Sequence, residues 1–153
     1  MTNTSIVELT REKKVVFQYR EPGGDIFSGQ KLPNGRILFG RYAGKLAELD
    51  RAGKKVWEVD IERQNMGLVT LEVVPGGRIL MPYPKTNRVV EVDRTGKVVW
   101  QANVEQPTSV ARLPDGNLLV GSHMRNRVVE IDRRGRVLWE QKAEGQIFRV
   151  RVR

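Results

Sequence analysis

Residues 89–100, VVEVDRTGKVVW, decide the architecture because they return three more times along the chain. They reappear as VVEIDRRGRVLW at 128–139 and LAELDRAGKKVW at 46–57, and in a worn copy, IVELTREKKVVF, at 6–17. The glutamates of the four copies, Glu8, Glu48, Glu91 and Glu130, are spaced by 40, 43 and 39 residues. The aromatic ends, Phe17, Trp57, Trp100 and Trp139, keep the same three spacings. A second block lies between them: KLPNGRILFG from Lys31, VVPGGRILMP from Val73 and RLPDGNLLVG from Arg112. Two landmarks holding one register over three intervals define a true internal repeat.

Each period holds four short runs rich in Val, Ile, Leu and Trp, and no segment has a long helical period. In the copy beginning at Thr108, a first strand leads into a Pro-Asp-Gly turn. There proline presets the turn and glycine accepts the left-handed backbone. A second strand, a polar loop and a third strand follow. The Asp-Arg-x-Gly turn then predicts a three-residue hairpin loop into the fourth strand. Four antiparallel strands in about 40 residues is the size of one propeller blade, and radial stacking buries apolar faces that an open array leaves wet. The expected fold is an all-β propeller of four-stranded antiparallel blades, forming one repeat domain over 1–153. It comprises a partial blade at 6–20, blades at about 25–60, 67–104 and 107–142, and a terminal strand at 147–152.

VVEVDRTGKVVW resembles the tryptophan-docking motif of PQQ-like, quinoprotein-type propellers. LPDGN combined with NRVVEID is similar to the repeats of arylsulfotransferase-like propeller proteins. The resemblance implies that Trp57, Trp100 and Trp139, with Phe17 in the worn copy, pack one blade against the next. It implies no catalytic residue. The quinoprotein enzymes hold their cofactor partly with a vicinal disulfide, and this chain has no cysteine. The sulfotransferases work through histidines, and this chain has one, His123. No cofactor and no metal site is expected.

The composition, 39% hydrophobic and 29% charged, is that of a globular chain, and no apolar run reaches the roughly 18 residues of a membrane span. No secretory signal pattern opens the sequence, and the compartment is not defined by it. The net charge of +9 raises the expectation of an acidic partner. Basic residues gather on the turns: Arg11, Lys13 and Lys14; Arg51, Lys54 and Lys55; Arg94 and Lys97; Arg133, Arg134 and Arg136. Without interleaved aromatics or a recognition motif, they read as solvated turns rather than a nucleic-acid surface. The repeated glutamates read as structural, paired with the base three positions earlier: Lys45, Arg88 or Arg127.

The loops joining second to third strands lie at the opposite ends of the sheets from these turns, and they differ between copies. They carry the candidate ligand-binding residues: Arg41 and Tyr42; Tyr83 and Lys85; His123, Met124, Arg125 and Asn126. The sequence therefore predicts a non-catalytic scaffold binding a protein or a small polar ligand on its loop face. The alternatives are a piece of a larger propeller enzyme and an anion or nucleic-acid binder using the turn face. The first-strand run at the C-terminus and the third and fourth strands at the N-terminus leave a composite blade without a second strand. That predicts a fragment of a larger propeller, or a dimer pooling blades, rather than a closed ring.

Overall fold

The computed structural model describes residues 5–64, 69–147 and 149–150. The strands are β1 (Ser5–Leu9), β2 (Val15–Arg20), β3 (Ile26–Lys31), β4 (Ile37–Arg41), β5 (Lys45–Leu49), β6 (Lys55–Asp60) and β7 (Glu72–Val73). They continue as β8 (Ile79–Tyr83), β9 (Arg88–Val92), β10 (Val98–Asn103), β11 (Ser109–Arg112), β12 (Leu118–Ser122), β13 (Arg127–Ile131) and β14 (Val137–Lys142). Among the described residues the helical content is one 3₁₀ turn, Pro84–Thr86. The sheets are β1-β2, β3-β4-β5-β6, β7-β8-β9-β10 and β11-β12-β13-β14, each an antiparallel meander. The three four-stranded sheets and the two-stranded β1-β2 sheet have the antiparallel architecture of propeller blades. The terminal strand expected at 147–152 falls partly outside the described residues, and Ile147, Arg149 and Val150 form no strand.

The Asp-x-x-Gly turn is a self-contained device. The carboxylates of Asp50, Asp93 and Asp132 accept the N–H groups two and four residues on, at 2.8–3.1 Å. Gly53, Gly96 and Gly135 take left-handed φ values of 80°, 83° and 78°. In the worn copy Thr10 replaces the aspartate, and its hydroxyl accepts the Lys14 N–H at 3.3 Å. Lys13 occupies the glycine position with φ 63°. A register shift follows in all four outer hairpins, the bulge expected of such a loop.

The chain divides into two units, Met1–Gln64 and Asn65–Arg153. In the first, Ile26, Phe39, Ala47 and Leu49 form a core on which Ile6, Phe17 and Tyr19 of the partial blade pack. In the second, two blades pack face to face through Val74, Leu80, Val89, Ala102, Val104, Val110, Leu118, Val120, Val129 and Ile131, with Trp100 against them.

The repeated glutamates are structural, but their partners differ from those expected. Glu48 pairs with Arg36 at 3.0 Å, Glu91 with Arg78 at 3.0 Å, and Glu130 accepts from Asn117 at 2.9 Å. Each partner opens the neighbouring second strand. The base three positions earlier points to the opposite sheet face, because side chains alternate along a strand. Lys45 instead meets Asp60, Arg88 meets Gln101, and Arg127 meets Glu140.

Candidate functional site

The loops between second and third strands share one backbone plan. Gly44, Asn87 and Asn126 take φ values of 89°, 52° and 47° at the same repeat position. Their carbonyls accept the N–H groups of Ile61, Val104 and Ala143, at 2.7–2.9 Å, and so tie each loop to the chain leaving the fourth strand. Asparagine serves here because its short polar side chain tolerates the left-handed region. The Asn87 side chain also accepts the Gln106 N–H at 2.9 Å, and Ser122 donates to the Gln106 carbonyl at 2.9 Å. Residue 106 therefore ties together the loops at 83–87 and 122–126.

Within the first unit, Arg41 is held between Asp25 at 2.8 Å and Glu21 at 3.1 Å. The hydrogen bond to Asp25 raises the Arg41 pKa further. Glu21 is buried and also accepts from the Tyr19 hydroxyl at 2.5 Å. Burial, followed by that bond to Glu21, pushes the Tyr19 phenol up to about 12. Tyr42 stacks at a tilt on Phe27, with ring centres 5.5 Å apart.

Within the second unit, Tyr83 is buried, with the Arg88 guanidinium 5.4 Å from its ring centre. Lys85 is exposed on the 3₁₀ turn. Met124 is 63% exposed, and Arg125 pairs with Glu105. His123 accepts the Asn126 N–H at its carbonyl, 3.3 Å away, and Asn126 holds the turn. The loop residues thus sort into framework (Arg41, Tyr83, Asn126) and outward groups (Lys85, Met124, Arg125).

The turn ends of the sheets are bound inward. Glu91, fully buried, receives Arg78, Arg112 at 2.9 Å and Arg133 at 2.8 Å. Burial works to raise its pKa, but the hydrogen bonds from Arg78 and Arg133 prevail and hold it below the usual glutamate value. Arg133 stacks on Trp100, 4.2 Å from the ring centre, and the Trp100 indole N–H donates to the Arg133 carbonyl at 2.8 Å. Blade-to-blade docking through the terminal tryptophan is visible in that contact.

Residues 42–153 match the model of PQQ-type repeats described as outer membrane protein assembly factor BamB. The chain belongs to this family. This PQQ-type repeat chain is also similar to solved propellers. A protein of unknown function from Bacteroides caccae shares 20% identity with a TM-score of 0.77, over 95% of this chain and 58% of that one. Virginiamycin B lyase from Staphylococcus aureus shares 17% identity with a TM-score of 0.66, over 91% of this chain and 48% of that one. A streptogramin B lyase shares 18% identity at the same TM-score, over 92% and 48%. No curated protein sequence matches. The repeat chain spans about half the length of these structures, and the likeness at such identities is one of fold. Sequence reasoning missed the Glu91 cluster, whose signal was the cross-strand register placing Arg78 diagonally from Glu91.

Proposed function

We propose that this PQQ-type repeat array is a non-catalytic binding module that takes a protein or small polar ligand on its loop face. The observation that carries the reading is the division of labour in the loops. Their backbone plan is held by Gly44, Asn87 and Asn126, while Lys85, Met124 and Arg125 contribute little to it and face outward. Such a frame lets side chains vary from loop to loop without cost to folding. The cationic character of Lys85 suits an acidic group on the ligand.

The turn face supports an anion-binding role less well, because five of its arginines are engaged. Arg36, Arg78 and Arg133 serve buried glutamates, Arg51 donates to the Asn34 carbonyl, and Arg136 pairs with Asp132. A second reading, that the array is part of a longer propeller enzyme, is favoured by the lyases' being about twice its length.

The test is an NMR titration with inorganic phosphate, a mixture of acidic dipeptides and a short DNA strand. The expected amide shifts cluster at 83–87 and 122–126 and disappear in Lys85→Ala/Arg125→Ala. Shifts centred on Arg51, Arg94 and Arg134, weakening steeply with salt, would overturn it in favour of the turn face. Turnover of virginiamycin B by the chain would establish the enzyme reading instead.

A further inference from the structure

In the second unit the tryptophan closing one repeat is a socket, and the arginine after the turn aspartate of the next repeat is its plug. Both are engaged there, with Arg133 stacked on Trp100 and paired with the buried Glu91. One repeat on, the socket consists of Trp139 and Glu130. Trp139 is 48% exposed, beside Val137 at 58%, and Glu130 is bonded to Asn117 of its own blade. Among the described residues no arginine occupies that position.

The first unit carries the matching plug. Arg11 follows Thr10 as Arg133 follows Asp132, and the two turns close alike. Lys13 N–H reaches the Thr10 carbonyl at 3.0 Å, and Gly135 N–H reaches the Asp132 carbonyl at 2.9 Å. Arg11 is exposed and, among the described residues, has no ion-pair partner. The strand beside it tells the same story. Val7 and Leu9 flank Glu8 as Val129 and Ile131 flank Glu130. Val129 and Ile131 are buried against the preceding blade at 2% and 0% exposure, whereas Val7 and Leu9 are 46% and 54% exposed.

We infer that the β1-β2 hairpin of one copy docks on the β11–β14 blade of a second copy, with Arg11 on Trp139 and Glu130 and with Val7 and Leu9 buried beneath. The contact is heterologous, so two copies can close reciprocally or further copies can add in a row. A net charge of +9 opposes self-association. The opposite-charge pair Arg11–Glu130 and the apolar patches supply the local complementarity that overcomes it. The inference rests on the repeat's packing rule and is independent of the loop-face reading.

The experiment is a charge exchange between chains, read by light scattering from nanomolar to high micromolar concentration. The wild-type mass is expected to rise above 17.5 kDa with concentration. Arg11→Glu alone, or Glu130→Arg alone, shifts that rise to at least about tenfold higher concentration, a loss of about 1.4 kcal/mol. Mixing the two variants restores it, because each plug then meets a socket of opposite charge. If a reversal unfolds the chain by circular dichroism, Arg11→Ala and Glu130→Gln replace the pair, and each is expected to weaken association. A mass of 17.5 kDa at every concentration overturns the proposal. So does an association that neither change weakens, or a reversal pair whose mixture recovers nothing.

Discussion

Glu91 is the residue whose surroundings are most committed. A fully buried carboxylate facing three guanidinium groups holds together the start of its own second strand, the end of the next blade's first strand and that blade's turn. Removing one partner of a buried ionic cluster leaves charge uncompensated, so Glu91→Gln is expected to cost about 3 kcal/mol, at the low end for such changes because the arginines keep some contact with water. Urea denaturation at neutral pH measures it. The sign with pH follows from the depressed pKa. A carboxyl held below its ordinary value stabilises the fold above about 4.3, and that contribution disappears as pH falls through the folded value. Wild-type stability should therefore drop on acidification below that range, and Glu91→Gln should drop less. Equal acid slopes in the two proteins would remove Glu91 from the account. Trp100 and Trp139 make a second residue-scale pair. Trp100→Ala should lose about 3 kcal/mol through the emptied docking contact. Trp139→Ala, measured in dilute protein, should stay within about 0.5 kcal/mol because that ring is half exposed.

At the scale of the element, turn chemistry was the most legible part of the sequence. Pro-Asp-Gly and Asp-x-x-Gly each specify a hairpin, and the hairpins appear with the expected left-handed glycines at Gly116 and Gly135. The worn turn keeps the shape with a lysine in the left-handed position, a conformation that costs an L side chain about 1–2 kcal/mol. Lys13→Gly should accordingly raise stability by up to about 1 kcal/mol, after the entropy of the freer unfolded chain is deducted. A thermal melt showing no gain would mean that the strain is relieved elsewhere. The loops allow a matching comparison. Asn126→Gly should be nearly neutral, while Asn87→Gly should cost about 1 kcal/mol because Asn87 alone also accepts the Gln106 N–H. What the sequence did not disclose at this scale was which side of a strand a charge faces. Lys45, Arg88 and Arg127 stood near the glutamates in sequence, but alternation sends them to the other face. Nor could it separate Tyr83, which is buried, from Lys85, which is exposed two residues later. That difference arises from the 3₁₀ turn at Pro84, not from composition.

At the scale of the molecule, repeat arrays draw their stability from each blade's neighbours, so protection should follow the number of packed faces. In the second unit β8 is buried at all five positions and β9 at four of five, with blade packing on the apolar side and the Glu91 cluster at one end. The β1-β2 hairpin has two strands and one packed face, and β14 is exposed along its whole length. Two-stranded hairpins are marginal by themselves. Native-state hydrogen exchange followed by mass spectrometry should therefore find β8 and β9 slowest, with β1, β2 and β14 opening several orders of magnitude faster in dilute protein. The repeat that made the fold readable also ranks its parts, since a blade copy lacking a neighbour loses the contacts that its sisters keep. Raising the concentration should slow exchange at β1, β2 and β14 together while leaving β8 and β9 unchanged, because the hairpin and the open blade shield each other across copies. Slowing at one and not the other would show that the exposed hairpin and the exposed blade face are not partners.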